Sequence, residues 1–167
     1  EKASSQMPIP IIASLNGEAV NQWIKFAGEL QQAGAAAIEL NFHRAPPDRY
    51  VGAREIEDSL DQAVRALRES ITIPLFVKLG SEFTSMSHLA ARLQPTIQGL
   101  VLFGRSPEAD ICLDDLKVRF SWGLTPPGSI TQSLRSIMRV HGFCPGISIA
   151  ATGGISSASD VIKSLLA

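Results

Sequence analysis

The stretch Ser-Ile-Ala-Ala-Thr-Gly-Gly-Ile, at residues 148–155, decides the fold. Its apolar first half is typical of a buried strand, and the pair Gly153-Gly154 predicts a sharp turn at the end of that strand. Ser157 and Asp160 follow with the spacing of a helix capping box and precede an apolar helical pattern. The stretch therefore predicts a strand, a glycine corner and a capped helix in that order.

Two interpretations of the glycine corner are open. Such a corner lets backbone N–H groups approach an anion, and the following helix N-terminus adds favourable charge, so it could hold a phosphate. Alternatively, the turn needs glycine only for its backbone angles. A second helix start, at Gly128-Ser129, has a similar pattern. The two starts could share one phosphate, or the second could simply be a loop that ends in a cap.

Apolar runs and helical patterns alternate along the rest of the chain. This alternation predicts an α/β fold with parallel strands, right-handed crossovers and strands covered on both faces. About five strands fall short of the eight that close a (β/α)8 barrel, so the count alone favours an open doubly wound sheet. Strands are predicted at residues 8–14, 35–40, 74–79, 99–103 and 146–151, helices at 18–32, 53–70, 84–94, 130–140 and after 155, and a small hairpin at 111–113 and 118–122.

Composition narrows the class of protein. The 167 residues suffice for one domain with a core, and a net charge of -1 does not suggest nucleic acid or a charged membrane surface as a partner. No apolar run approaches the roughly 20 residues of a membrane helix, and no signal peptide is evident. Cys112 and Cys144 lack metal-ligand spacing. We therefore expect a cytoplasmic protein with reduced thiols and no metal site.

Polar side chains end nearly all of the predicted strands. In parallel α/β architectures this carboxyl-end rim is where sites are built, so these residues are the first candidates for function. They are Ser14, Asn16, Asn41, Lys78, Arg105 and Thr152.

Lys78 is the most informative of them because it interrupts an apolar strand. An unpaired ammonium in a buried strand costs several kcal/mol, so the side chain must reach a partner. That partner could be a ligand anion, a phosphate or an electron-rich ring, or it could be Glu39 on a neighbouring strand. Asn41, on the same side of its strand as Glu39, could contact a ligand or cap the next loop. His43, in that loop, could be a general acid or base, or merely solvated.

Taken together, these pieces resemble the dihydroorotate dehydrogenase family, specifically its dihydroorotate dehydrogenase-like branch. The order and spacing of the motifs match along most of the chain. They are Pro-Ile-Ile-Ala-Ser-Leu-Asn-Gly at residues 10–17, Ala-Gly at 33–34 followed by Ile-Glu-Leu-Asn at 38–41, Val-Lys-Leu at 77–79, Gly-Leu-Val-Leu-Phe at 99–103, Asp-Ile-Cys-Leu at 110–113, and Ala-Ala-Thr-Gly-Gly-Ile at 150–155.

The resemblance implies a (β/α)8 TIM barrel that binds FMN and oxidises dihydroorotate to orotate in pyrimidine biosynthesis. It implies that Asn41 touches flavin and substrate, and that Lys78 contacts the flavin pyrimidine ring, where a cation stabilises the anionic reduced flavin. The remaining residues of the implied cofactor site are Ser14 as a polar flavin contact, Gly128, Gly153 and Gly154 near the phosphate, and Thr152 beside the glycine pair.

The sequence departs from the family on the substrate side. Arg44 stands near the position of the family's catalytic base, and arginine does not lose its proton in proteins. Pro46 and Gly104 replace two expected asparagines. Two alternatives therefore stay open: a non-catalytic relative that binds FMN or another phosphate ligand, and a (β/α)-barrel lyase or isomerase acting on a sugar phosphate.

The resemblance covers only the third to seventh strands of such a barrel. We therefore expect residues 1–167 to be a single FMN-binding barrel domain that is truncated at both ends, with about five strands. The outer strands would be apolar and unpaired, which predicts a homo-oligomer or an edge-paired dimer.

Overall fold

The computed structural model describes residues 2–17, 20–42, 48–105 and 107–167. In these ranges the main elements alternate between strand and helix, as predicted, and a hairpin interrupts the alternation. In chain order they are α1 (Lys2–Gln6), β1 (Ile12–Leu15), α2 (Val20–Gln32), β2 (Ala37–Phe42), α3 (Ala53–Ser70), β3 (Leu75–Leu79), α4 (Met86–Leu93), β4 (Gly99–Leu102), β5 (Glu108–Cys112), β6 (Lys117–Ser121), α5 (Ile130–Phe143), β7 (Ser148–Ala151) and α6 (Ala158–Leu166).

The main sheet has five parallel strands in the order β1-β2-β3-β4-β7. Each parallel strand therefore lies beside the next one along the chain, and the order never reverses. Right-handed crossovers in such an order place the connecting helices on one side of the sheet. The partial TIM barrel is confirmed. The doubly wound sheet favoured by the strand count is wrong, because that fold needs a reversal of strand order and helices on both faces.

The two faces of this sheet differ in burial. Leu40, Val77 and Leu100 are fully buried on the face that packs against the helices. Residues one position along point to the other face, which is buried on β4 but only partly covered on β2 and β3. The expectation that both faces are covered holds for β4 and is wrong for β2 and β3. The partly covered inner face carries the polar side chains of Glu39, Asn41 and Lys78.

Strand register aligns the inner-face residues in two rows. One row runs from Ser14 through Glu39 and Phe76 to Gly99, and the other pairs Asn41 with Lys78 and Lys78 with Val101. A methyl group on Gly99 would lie 2.7 Å from the Phe76 ring, so that ring lies over the glycine. The register thus places Glu39, Asn41 and Lys78 beside one another on adjacent strands.

Local signals in the sequence are mostly confirmed, with two corrections. The hairpin is present, with β5 and β6 antiparallel, and the capping box of Ser157 and Asp160 forms at the start of α6. The predicted stop of α5 at Gly142 is wrong, because the helix continues through Phe143. The polar lead-in contains the short helix α1, whose Ser4 hydroxyl donates to the carbonyl of Ala33 at 2.7 Å.

Helices in the described ranges are too short or too polar to cross a membrane.

Candidate functional site

A cleft of about 380 Å³ lies at the carboxyl ends of β2, β3, β4 and β7. It contains four of the residues predicted for the cofactor site, and the segment after the hairpin contributes a further wall. The strand-end residues are Asn41, Lys78, Gly104, Thr152 and Gly153, and the hairpin side supplies Trp122, Leu124 and Thr125.

Lys78 forms the ion pair that the sequence left as an alternative. Its Nζ lies 2.8 Å from Oε1 of Glu39, and the Ser14 hydroxyl donates to the same oxygen at 2.6 Å. The Lys78 side chain is 24% exposed and also lines the cleft. Because an ammonium has three N–H donors, one bond to Glu39 leaves two for a ligand. The ion pair and a ligand contact are therefore compatible.

Gly104 lets the Lys78 and Asn41 side chains lie together. A methyl group at this position would be 3.3 Å from Cγ of Lys78 and 3.4 Å from Oδ1 of Asn41. The Gly104 N–H donates to the carbonyl of Leu79 at 2.7 Å, which ties the end of β4 to β3. Gly104, at the position where the resemblance implies an asparagine, thus leaves room that a larger side chain would fill.

The glycine corner contacts the start of α5. Gly153 and Gly154 have φ of +86° and +71°, a conformation that favours glycine. A methyl group on Gly154 would lie 2.5 Å from the Ile130 N, so the corner and the helix start are in close contact. Within the described residues, the N–H groups of Gly153, Gly154 and Ile130 donate no hydrogen bond. The structure therefore brings the two glycine-led helix starts together.

A neighbouring cleft of about 440 Å³ continues from this corner along α5. It shares Gly104, Thr152 and Gly153 with the first cleft and adds Ser129 and Gln132 from the start of α5. The two clefts therefore form one continuous groove that runs from Lys78 to the α5 N-terminus.

Arg105 lies in both clefts and brings a second cation to the groove. Its guanidinium pairs with Glu108 at 3.0 Å, and its side chain is 30% exposed. The positive charge of Arg105 is therefore largely offset by a carboxylate of its own.

Three predicted site residues, Ser14, Gly128 and Gly154, lie outside the cleft wall, and Gly154 contacts the start of α5 instead. Ser14 reaches the site only through its hydrogen bond to Glu39. Gly128 has a φ of +81°, and a methyl group there would meet no atom within 4 Å, so it lies at the open edge of the α5 start. His43, Arg44 and Pro46 lie outside the described residues, and their predicted roles stay predictions.

Sequence reasoning missed the contribution of the hairpin. Trp122 and Leu124 line the cleft although they are 69% and 96% exposed. The only signal was a pair of large apolar residues within an otherwise irregular segment. Their approach to Lys78 depends on the path of the chain after β6, which no local pattern encodes.

The chain matches several dihydroorotate dehydrogenases in sequence. No family model matches the chain. Dihydroorotate dehydrogenase A (fumarate) of Limosilactobacillus reuteri is 31% identical over 95% of this chain and 54% of its own length. The catalytic subunits of dihydroorotate dehydrogenase B (NAD(+)) from Shouchella clausii and Anoxybacillus flavithermus are 30% and 26% identical, over 95% of this chain and 54% and 53% of their own.

The resemblance to dihydroorotate dehydrogenases is confirmed. It extends over nearly all of this chain, while the chain spans about half the length of the curated dihydroorotate dehydrogenases it matches. The similarity therefore covers the described sheet and both ends of the groove.

The similarity to solved structures supports the fold of this chain and nothing further. YagE, a prophage protein of the dihydrodipicolinic acid synthase family from E. coli, aligns with a TM-score of 0.55 at 18% identity, over 95% of this chain and 44% of its own. A mutant mandelate oxidase aligns with a TM-score of 0.52 at 18% identity, over 90% of this chain and 44% of its own. Both are TIM-barrel enzymes, which agrees with the partial barrel of this chain.

Proposed function

We propose that this chain is part of an FMN-dependent oxidoreductase of the dihydroorotate dehydrogenase family, acting on dihydroorotate or a similar small molecule. The observation that carries the proposal is that Lys78 and Gly153 line one cleft. A cation and a glycine corner beside a helix N-terminus can thus engage two parts of a single ligand.

The described residues fit FMN in three respects. The cleft volume of about 380 Å³ lies within the range of small-molecule sites, roughly 300–1,000 Å³. One end offers the Lys78 ammonium and the Asn41 amide to a polar ring edge. At the other end, the N–H groups of Gly153, Gly154 and Ile130 donate no hydrogen bond within the described residues and lie at a helix start, which suits a phosphate.

The residues of the groove would bind and orient rather than perform the redox chemistry. FMN, when bound, supplies a hydride acceptor for the substrate. The Lys78 ammonium would stabilise negative charge at the end of β3, since a preorganised cation in a partly dry cleft stabilises charge better than water does. The Asn41 amide would orient the ligand, and Trp122 and Leu124 would offer it apolar contacts.

The substrate side of the site supports a second candidate. Arg44 stands near the expected base and Gly104 replaces an asparagine, so the polar groups expected to handle substrate are reduced. A non-catalytic relative that retains FMN is therefore the alternative function. The sugar-phosphate lyase or isomerase has no such support from the described residues.

FMN binding tests the proposal directly. We expect the protein to bind FMN, measured as quenching of flavin fluorescence, and Lys78→Ala to weaken binding at least tenfold, or about 1.4 kcal/mol. Lys25→Ala is the matched control, because Lys25 is 72% exposed on α2. Equal FMN affinity of Lys78→Ala and Lys25→Ala would contradict the assignment of Lys78.

Activity separates the two candidates. Orotate formation from dihydroorotate, followed with an artificial electron acceptor, is expected of the dehydrogenase and not of the non-catalytic relative. A protein that binds FMN without forming orotate would support the second candidate. A protein that binds no FMN would exclude both.

A further inference from the structure

We infer that Glu39 is the counter-ion that sets the reduction potential of a flavin held beside Lys78. The inference rests on the proposed function, because it assigns to Glu39 a role toward the same ligand. Glu39 would act by offsetting the charge of Lys78, without touching the ligand itself.

The geometry places Glu39 behind Lys78. Register sets Glu39 beside Ser14 on one side and Phe76 on the other, one row further from the cleft than the pair of Asn41 and Lys78. The Glu39 carboxylate lies 2.8 Å from the ammonium and is only 12% exposed, while the Lys78 side chain is 24% exposed. Lys78 lines the cleft and Glu39 is not part of its wall.

The hydrogen bond from Ser14 strengthens this arrangement. Its hydroxyl donates at 2.6 Å to the same oxygen, Oε1, that accepts from Lys78. One carboxylate oxygen therefore joins Ser14 and Lys78 in a single hydrogen-bonded chain, which fixes the position of the Lys78 ammonium beside the cleft.

No second carboxylate shares this part of the described inner face. The neighbouring inner-face residues on β1 to β4 are Ser14, Asn41, Phe76 and Val101, none of which is charged. The other ion pair in the groove, Arg105 with Glu108, is internally balanced. A third carboxylate, Glu82, lines the neighbouring cleft together with Glu108. Glu39 is the carboxylate in contact with Lys78, so the charge at the Lys78 end of the groove depends mainly on Glu39.

The consequence for a bound flavin follows from charge balance. With Glu39 ionised, the pair has a net charge of about zero. Removing the carboxylate leaves a cation whose field favours the negative charge of reduced flavin, and removing the ammonium leaves an anion that opposes it. Removing both charges restores a neutral pair, so the double variant should resemble the parent.

Potentiometric titration of the FMN-bound protein tests this pattern. We expect Glu39→Gln to raise the ratio of the affinities for reduced and oxidised FMN about tenfold, which is about 30 mV upward for a two-electron couple. Lys78→Met should move the potential in the opposite direction. The double variant should return close to the parent, whereas a merely structural role for Glu39 would give no such compensation.

Two further variants control the experiment. Glu29→Gln removes an exposed carboxylate on α2, 57% exposed, and should leave the potential unchanged. Ser14→Ala removes one donor to Glu39 and leaves the carboxylate less screened, so it should shift the potential slightly downward. It provides the test if Glu39→Gln does not fold.

The outcomes are distinguishable. If the parent binds FMN and neither Glu39→Gln nor Ser14→Ala shifts the potential, the inference is wrong and the proposed function stands. If the double variant keeps the full shift of either single variant, Glu39 does not act as the counter-ion of Lys78. If the parent does not bind FMN, both the inference and the proposed function are wrong.

Discussion

Gly154→Ala should destabilise the protein more than any other glycine-to-alanine change at the corner or in α5. Gly154 has a φ of +71°, and a methyl group there would lie 2.5 Å from Ile130 N and 2.8 Å from the carbonyl carbon of Ser129. It would also clash with the Ser129 hydroxyl. Two of these three contacts are with backbone atoms, which cannot move aside as a flexible side chain can.

The magnitude has two parts. A non-glycine residue in the left-handed region costs roughly 1–2 kcal/mol. Forcing an extra methyl group into a close-packed contact costs typically about 1–3 kcal/mol more. We therefore expect the free energy of unfolding to fall by about 2–5 kcal/mol, a large fraction of the roughly 5–15 kcal/mol that stabilises an ordinary domain.

Two matched variants separate these parts. Gly128 has a φ of +81° but open space around it, so Gly128→Ala should cost only the conformational part, about 1–2 kcal/mol. Gly142 lies in α5 with neither constraint, so Gly142→Ala should stabilise the helix by about 0.5 kcal/mol.

Urea unfolding, followed by far-ultraviolet circular dichroism, measures all three variants. The expected order of midpoints is Gly142→Ala above the parent, then Gly128→Ala, then Gly154→Ala. Equal midpoints for Gly128→Ala and Gly154→Ala would show that the corner does not press against α5. The contact between the two helix starts, on which the phosphate proposal depends, would then be wrong.

Three further predictions concern the capping box and the sheet edge. Ser157→Ala should lower the free energy of unfolding by about 1 kcal/mol in the same urea assay, because it removes the side-chain cap of α6. Hydrogen bonds from the Ser156 N–H and the Ser157 hydroxyl hold the pKa of Asp160 below its ordinary value of 3.8. The ionised Asp160 carboxylate should therefore stabilise the protein above about pH 4, and this stabilisation should be lost as pH falls through the lowered pKa. Asp160→Asn should abolish this part of the acid dependence, measured by urea titrations between about pH 2 and pH 6. Ile12 is 56% exposed on the outer strand β1 and should promote self-association. Ile12→Lys should therefore reduce the mass measured by light scattering. A parent protein that is already monomeric would contradict the predicted dimer.

Local patterns in the sequence predicted the elements because each pattern reports a short-range constraint. The apolar stripe of α3 predicted its bounds of Ala53–Ser70, and the spacing of Ser157 and Asp160 predicted the capping box. Gly142 misled the prediction for α5, because one glycine costs a helix only about 1 kcal/mol and the packing of Val140 and Cys144 in the core outweighs that cost.

The candidate site was predicted in part for the same reason. Parallel strands place their carboxyl ends at one edge, so Asn41, Lys78 and Thr152 were expected near one another, and all three line one cleft. The hydrogen-bond partner of Lys78 was left open, because strand patterns specify which face a residue occupies and not how far its side chain reaches. The approach of Trp122 was missed because it depends on the packing of an irregular segment.

The sequence alone determined the order of strands and helices, the faces on which Glu39, Asn41 and Lys78 lie, and the resemblance to dihydroorotate dehydrogenases. Only the tertiary structure decided that Glu39 holds Lys78 at 2.8 Å, that Trp122 reaches the cleft, and that Gly154 presses on the start of α5. Periodicity records which side of its own element a residue occupies. Distances between residues far apart in the chain depend on how the elements pack, and that information is spread over the whole core rather than held in any one stretch.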